Sequence, residues 1–297
     1  MWKAKCLQWT YKLITRLRLA DIAFLSGLRR FSKSLLFRML ASDGHMMIEM
    51  DGMPFYIRST PASIKEYIFE PFEPYTVELF KNAVKSKSVV LDIGAQFGYY
   101  SLLAAKLIKP EGQVFTFEPV PKNFEALKRN IQENNYTSII HPIQKAVGNK
   151  REMISIFIYE HSDSHGMFRH PQAAVKETIS VECITIDSFL KGQPVDVIKM
   201  DIEGNEPSAL EGMKETISRS DNLILFTELA PVFLRRAGVD TKDYILQLEE
   251  LGFNVQIIDE HQRCLRAVTE DFFVEDDPSW HINFYCTKRK GENNEAK

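Results

Sequence analysis

The sequence predicts an α/β fold: a mostly parallel sheet covered by helices on both faces, with an antiparallel edge strand and an N-terminal helical and hairpin extension. Three observations carry that reading. From Ser88 onward, near-continuous apolar segments alternate with helical ones, the pattern of a parallel sheet buried on both sides. The last apolar strand, INFYCTK, follows FNVQII after a loop with no strong helical signal, so it is expected to return antiparallel at the sheet edge. Carboxylates recur where the strands end.

The elements follow in order. His45 to Ser59 reads as a hairpin, MMIEM and PFYIR flanking an Asp51-Gly52 turn. Pro61, Pro71 and Pro74 mark a loop, and Thr76 to Lys85 a short helix. VVLDI then passes through a glycine turn into the helical YYSLLAAKLI, and QVFTFE leads into the helix PKNFEALKRNIQENN. IIHPIQKAV reads as the third strand. The alternating strands MISIFIY and ISVECITI bracket the polar loop EHSDSHGMFRHPQ. VDVIKMD, the helix PSALEGMKETIS, NLILFTE, a helix from Lys242 to Leu251, FNVQII and INFYCTK complete the series. The chain is thereby divided into a cap, residues 1–85, a main domain, 86–290, and a polar tail, 291–297.

Composition narrows the function. A content of 44% hydrophobic and 26% charged residues is ordinary for a globular chain. No apolar run approaches the roughly twenty residues of a membrane span. Cys6, Cys183, Cys264 and Cys286 lie far apart with no zinc spacing. That argues against a disulfide framework or a metal site and fits a reducing, cytoplasmic compartment. The net charge of −3 hides an asymmetry, since residues 1–40 carry nine Lys or Arg against Asp21 alone and leave −11 for the rest. The acidic remainder argues against a nucleic-acid partner. Trp2, Cys6, Trp9, Leu13, Leu17, Ala20 and Phe24 recur at helical spacing with Lys5, Lys12 and Arg16 on other faces. Two readings of residues 1–40 stay open: a helix lying on the inner face of an anionic membrane, or one docked on its own domain or frayed.

In open α/β sheets, ligands bind beyond the carboxyl ends of the strands. Those ends read Asp92, Glu118, Val147, Asp201 and Glu228, four carboxylates in five positions. The first turn runs Asp92-Ile93-Gly94-Ala95-Gln96-Phe97-Gly98. A dinucleotide fingerprint would need glycine where Gln96 and Tyr99 stand, and no P-loop lysine follows. Two glycines allow a close backbone approach without a pyrophosphate to cradle; a purely structural turn is the other reading. Glu118, twenty residues after Gly98, is placed to accept from both hydroxyls of a ribose, or else to cap the helix at Pro121. A ribose, no pyrophosphate and a compact charged group describe S-adenosylmethionine.

The segment Val197-Ile198-Lys199-Met200-Asp201-Ile202-Glu203-Gly204-Asn205-Glu206 resembles the D-x-I-K-x-D-x-E-G-x-E signature of the FkbM family of S-adenosylmethionine-dependent methyltransferases. The D-I-G-A turn, Phe117-Glu118-Pro119 and the spacing to Asp187 match as well. The resemblance covers Ser88 to Leu229, with Gln96 standing where the family commonly has Asn. It implies a class I, Rossmann-like methyltransferase fold on a seven-stranded sheet, and methyl transfer to an oxygen of a carbohydrate or secondary metabolite. It also implies cofactor contacts at Asp92, Gly94, Ala95, Gly98 and Glu118, and places Asp201 and Glu203 by the transfer site.

The remaining assignments follow from chemistry. An alcohol acceptor needs a base as its proton leaves, and strands about 4.8 Å apart let Asp201 and Glu228 converge. Such a pair serves as a base, as a substrate contact or as a seat for Mg²⁺; no His joins it, so a cation is not indicated. Lys199, in an apolar strand with the parity of Asp201, is expected to bond Asp92 or Glu228, with a catalytic role as the alternative. His165 is the histidine base candidate. Gln96, Tyr99 and Val147 complete the expected cofactor contacts, with Tyr99 or Tyr100 facing the sulfonium. An N-methyltransferase for small molecules, and a silent binding or scaffold protein of the same fold, are the alternatives.

Overall fold

The computed structural model describes residues 44–69, 72–108, 110–159, 166–168, 174–269 and 281–288. Residues 1–40, His165 and the tail 291–297 lie outside them. Two compact units divide the chain, with a boundary between Phe72 and Glu73.

In the first unit, β1 (His45–Met50) and β2 (Met53–Arg58) pair antiparallel as the hairpin. Its Asp51 and Gly52 both take positive φ, 49° and 74°, as a tight two-residue turn demands. Alternation buries Met53, Phe55 and Ile57 on one face of β2. After α1 (Pro61–Ile64) and a wider turn over Lys65–Phe69, Tyr67 stacks on Phe72 at 4.9 Å and meets the edge of Phe55 at 5.6 Å.

The second unit begins with α2 (Pro74–Ala83). It continues as β3 (Val89–Ile93), α3 (Tyr99–Leu107), β4 (Gln113–Phe117), α4 (Pro121–Glu133) and β5 (Ile140–Ile143). Then come β6 (Ala146–Val147), β7 (Glu152–Tyr159), β8 (Val175–Ile184), α5 (Ile186–Leu190), β9 (Val197–Met200), α6 (Glu206–Glu211) and α7 (Lys214–Arg219). The series closes with β10 (Ile224–Leu229), α8 (Pro231–Arg236), α9 (Thr241–Glu250), β11 (Phe253–Asp259), β12 (Cys264–Ala267) and β13 (Ile282–Lys288). The main sheet has the order β12-β11-β13-β10-β9-β3-β4-β5, and β5, β4, β3, β9 and β10 run parallel. The α/β class, with a mostly parallel sheet carrying helices on both faces, is the one expected.

Three details differ. The seven expected strands are joined by an eighth, β12, which pairs antiparallel at the edge of β11. β13 is antiparallel as expected, yet it is not at the edge: it lies between β10 and β11. Its residues explain the position, because Asn283, Phe284 and Cys286 are all buried, which an edge strand would not require. The stretch IIHPIQKAV is two strands rather than one. β5 ends at Ile143, and its Pro142, lacking an N–H, suits the sheet edge. Val147 belongs to β6, which pairs with β8 in a separate sheet of order β6-β8-β7. Val147 is therefore not the end of the third main-sheet strand.

Each face of the main sheet has its own packing. Leu91, Ile93, Ile198, Met200, Leu225, Leu229, Phe284 and Cys286 share one core with Leu210, Tyr244 and Leu248 of the helices and with Met213 between α6 and α7. The other face carries Thr116, Asp92, Lys199, Phe226 and Tyr285 side by side in register. There Ser101 meets Asp92, and Phe80 meets Phe226 and Tyr100, so α2 and α3 cover a polar stripe.

Candidate functional site

From β3 the chain proceeds to β4 and β5 on one side and later returns to β9 and β10 on the other. That reversal opens a crevice at the carboxyl ends of β3 and β9, where such sheets bind ligands. The glycine turn lies there. The N–H groups of Gly94 and Ala95 both donate to the Phe117 carbonyl, at 2.9 and 3.0 Å. Gly94 has φ 83°, and a Cβ on it would collide with the carbonyl oxygen of Asp201. Asp201 N donates to Ile93 O at 3.0 Å, so the turn and the loop after β9 touch backbone to backbone. Ala95 and Gly98 are buried, and Gln96 sits at φ 52°.

Glu118 clamps this turn. Its Oε2 accepts from Gln96 N at 2.8 Å and its Oε1 from Val120 N at 2.8 Å, with Asn123 Nδ2 at 3.5 Å. These bonds tie the strand end to the turn and to the residue before α4 without capping that helix, and Oε2 keeps a lone pair for a further donor. Beside it, Asn123 Oδ1 is buried without a hydrogen-bond partner. Burial pushes the Glu118 carboxyl up to about 8, against the backbone donors. Asp92 turns inward, accepting from Ser101 Oγ at 2.5 Å and tying β3 to α3; burial raises it to about 6. Tyr99 and Tyr100 are both buried, their rings edge to face at 5.6 Å.

Asp201, Glu206 and Glu228 each present a carboxylate oxygen within 4.8 Å of the others. Asp201 and Glu228 converge as the strand spacing predicted, and Glu206 joins them as a third member. Beyond Met200 the strand parity lapses, because Glu203 and Gly204 take positive φ, 56° and 96°, and turn the chain. Glu206 then reaches back, accepting from Ile202 N and Gly204 N at 2.8 Å each. Burial brings Glu206 up to about 7. Burial, followed by the charges of Asp201, Glu203 and Glu206, drives Glu228 well above the usual carboxylate range. Three carboxylates this close do not all ionise without a cation or a proton among them.

Lys199 supplies a cation. It is 3% exposed, and its Nζ donates to Asp201 Oδ2 at 3.3 Å, not to Asp92 or Glu228 as expected. The two-residue spacing keeps Lys199 and Asp201 on one face, whereas Asp92 is taken by Ser101. A second acceptor is Asn283 Oδ1 at 3.4 Å, and the ring of Tyr100 lies 5.4 Å from Nζ. Burial alone would lower the ammonium's pKa, but Asp201, Glu73 and Glu228 hold it above the ordinary value.

The family description "Methyltransferase FkbM domain" matches residues 92–255, more than half of the chain. The chain belongs to the FkbM methyltransferase domain family. Among curated relatives, the hexuronic acid methyltransferase AglP of Haloferax volcanii is 25% identical over 188 residues, covering 62% of this chain and 71% of the relative. A protein-L-isoaspartate O-methyltransferase of Aeropyrum pernix is 35% identical over 54 residues, 18% of this chain and 21% of that protein. Among solved structures, an O-methyltransferase from Bacillus cereus in complex with SAH is 13% identical, with a TM-score of 0.43, covering 74% of this chain and 82% of that one.

The FkbM match contains the turn, Glu118 and the three clustered carboxylates. It leaves out Glu73 and Asn283, which sequence reasoning also missed. Asn283 did carry a signal, a polar residue inside an otherwise apolar strand. Glu206 was visible too, as an acid in the first turn of a Pro-started helix.

Proposed function

We propose that this chain is an S-adenosylmethionine-dependent methyltransferase that methylates an oxygen of a carbohydrate-type acceptor. The observation that carries the reading is the contact of the Gly94 turn with the Asp201 loop, which sets a ligand-binding turn directly against a carboxylate cluster. The donor set fits the cofactor: an acid-rich crevice matches a sulfonium, and Glu118 with the orphaned Asn123 Oδ1 offers acceptors to a ribose.

When bound, S-adenosylmethionine supplies an electrophilic methyl group. The turn of Gly94, Ala95, Gln96 and Gly98 would hold it together with Glu118, while Asp92 fixes the turn through Ser101. Asp201, paired with Lys199, is assigned to accept the acceptor's proton, and Glu228, whose burial among other acids favours its protonated form, is assigned to donate to the acceptor. Glu206 holds the Asp201 loop in shape. Positioning, more than charge stabilisation, is what these groups contribute to an in-line transfer. The similarity to the hexuronic acid methyltransferase of Haloferax volcanii supports a sugar acceptor.

Calorimetric titration with S-adenosylmethionine, followed by S-adenosylhomocysteine release across a panel of neutral glycosides and uronosides, tests the proposal. Binding by the wild type, lost in Glu118→Ala, is expected. Absence of wild-type binding would refute it.

A further inference from the structure

We infer that Asn283 and Glu73, both outside the family-matched span, are positioning residues that hold the Lys199 ammonium against Asp201. The inference rests on the assignment of Asp201 to the transfer site. Lys199 stands on β9 with its Nζ buried, and an ammonium there needs fixed acceptors. Asp201 provides one and Asn283 Oδ1 the other. The Asn283 amide is oriented in turn, because its Nδ2 donates to Glu73 Oε1 at 2.5 Å. Glu73 Oε2 accepts from the hydroxyl of Tyr100, also at 2.5 Å, and the Tyr100 ring faces the ammonium. The chain of contacts thus closes on itself: Lys199, Asn283, Glu73, Tyr100 and back to Lys199.

Glu73 is set free for this task. It occupies the N-cap position of α2, in the left-handed region at φ 38° and ψ 57°, yet its side chain makes no cap bond. Glu260 does the capping instead, accepting from Tyr75 N at 2.8 Å and Thr76 N at 2.9 Å. A backbone conformation that disfavours a side chain, with the cap supplied from elsewhere, leaves the Glu73 carboxylate aimed at Asn283 and Tyr100. Asn283 reaches the site because β13 is inserted beside β10, where it stands opposite Glu228 in register. An antiparallel strand at the sheet edge would not bring it there.

The network confines the one buried cation of the stripe to the Asp201 side. Released, that ammonium can approach the place where a sulfonium would lie and repel it. Two measurements on the full chain test this. In protein labelled with ¹⁵N at lysine Nζ, with the Lys199 resonance assigned from Lys199→Met, the wild type should show a slowly exchanging ammonium. Asn283→Ala and Glu73→Gln should broaden or lose it. Both variants should also weaken S-adenosylmethionine by about threefold relative to the neutral S-adenosylhomocysteine, the size expected for shifting one charge by a few ångströms. A merely structural role would weaken both ligands equally. An unchanged resonance with an unchanged affinity ratio overturns the inference, as does equal weakening of the two ligands. If Asn283→Ala fails to fold, Glu73→Gln decides. Failure of the wild type to bind either ligand refutes the proposed function, while the lysine resonance still judges the network.

Discussion

Replacing Glu118 by Gln separates its structural duty from its ionisation. In the fold its two oxygens accept from Gln96 N and Val120 N. The amide nitrogen of Gln cannot accept, so one buried backbone N–H loses its partner, at about 1–3 kcal/mol. The carboxyl, however, moves from its ordinary 4.5 to about 8 on folding, chiefly by burial. A raised carboxyl favours the protonated form, so its contribution to stability is complete below 4.5 and is lost as pH rises through 8. The full span corresponds to roughly 5 kcal/mol, an upper figure. Gln does not titrate and escapes this loss. Urea denaturation of both proteins without ligand should therefore find Glu118→Gln less stable by about 1–3 kcal/mol at pH 5. By pH 9 the deficit should vanish or reverse. A stability difference that stays constant across that range would refute the argument that Glu118 is desolvated and clamped in the neutral form.

Other substitutions probe the neighbouring contacts. Gly94→Ala places a methyl against the Asp201 carbonyl at a positive φ; beyond the 1–2 kcal/mol of left-handed strain, it should separate turn from loop and abolish cofactor binding in a titration. Glu206→Ala orphans the N–H groups of Ile202 and Gly204 and should cost about 2–4 kcal/mol in chemical denaturation. Glu228→Gln replaces a carboxyl whose protonated form burial favours by a neutral donor of the same shape, so turnover on an acceptor found in the glycoside panel should remain within about threefold. Asp201→Asn should lower the same turnover by about a hundredfold or more; equal effects of the two would remove the division of roles between them.

The strand ends explain how far sequence reading reached. Asp92, Glu118, Asp201 and Glu228 were found because the ends of parallel strands gather at the crevice whatever the rest of the chain does, even though Asp92 itself turns inward to Ser101. Glu203 came from the family resemblance, whereas Glu206 joins the cluster because the left-handed turn at Glu203 and Gly204 brings the chain back, which strand periodicity does not show. Val147 was misplaced because IIHPIQKAV was read as one strand, although its polar pair Gln144 and Lys145 forms the crossing between two sheets. Lys199 was rightly expected to need a carboxylate. Its partner depended on which neighbours were already engaged, as Asp92 is by Ser101. Glu73 and Asn283, 210 positions apart, meet only through the sheet order, and no window of sequence contains both.

The place of β13 has a consequence for how the protein is made. Strands β10 and β11 leave the ribosome first, but they cannot pair with each other in the native order; a slot must stay open between them until Ile282–Lys288 arrives. The lysine network waits for the same segment, since Asn283 is on it. A nascent chain stopped short of β13 would expose two unsatisfied strand edges at the middle of its sheet, the kind of surface that draws chaperones or aggregates. Assembly of the lysine network is thus timed to the arrival of β13, after the other seven strands of its sheet.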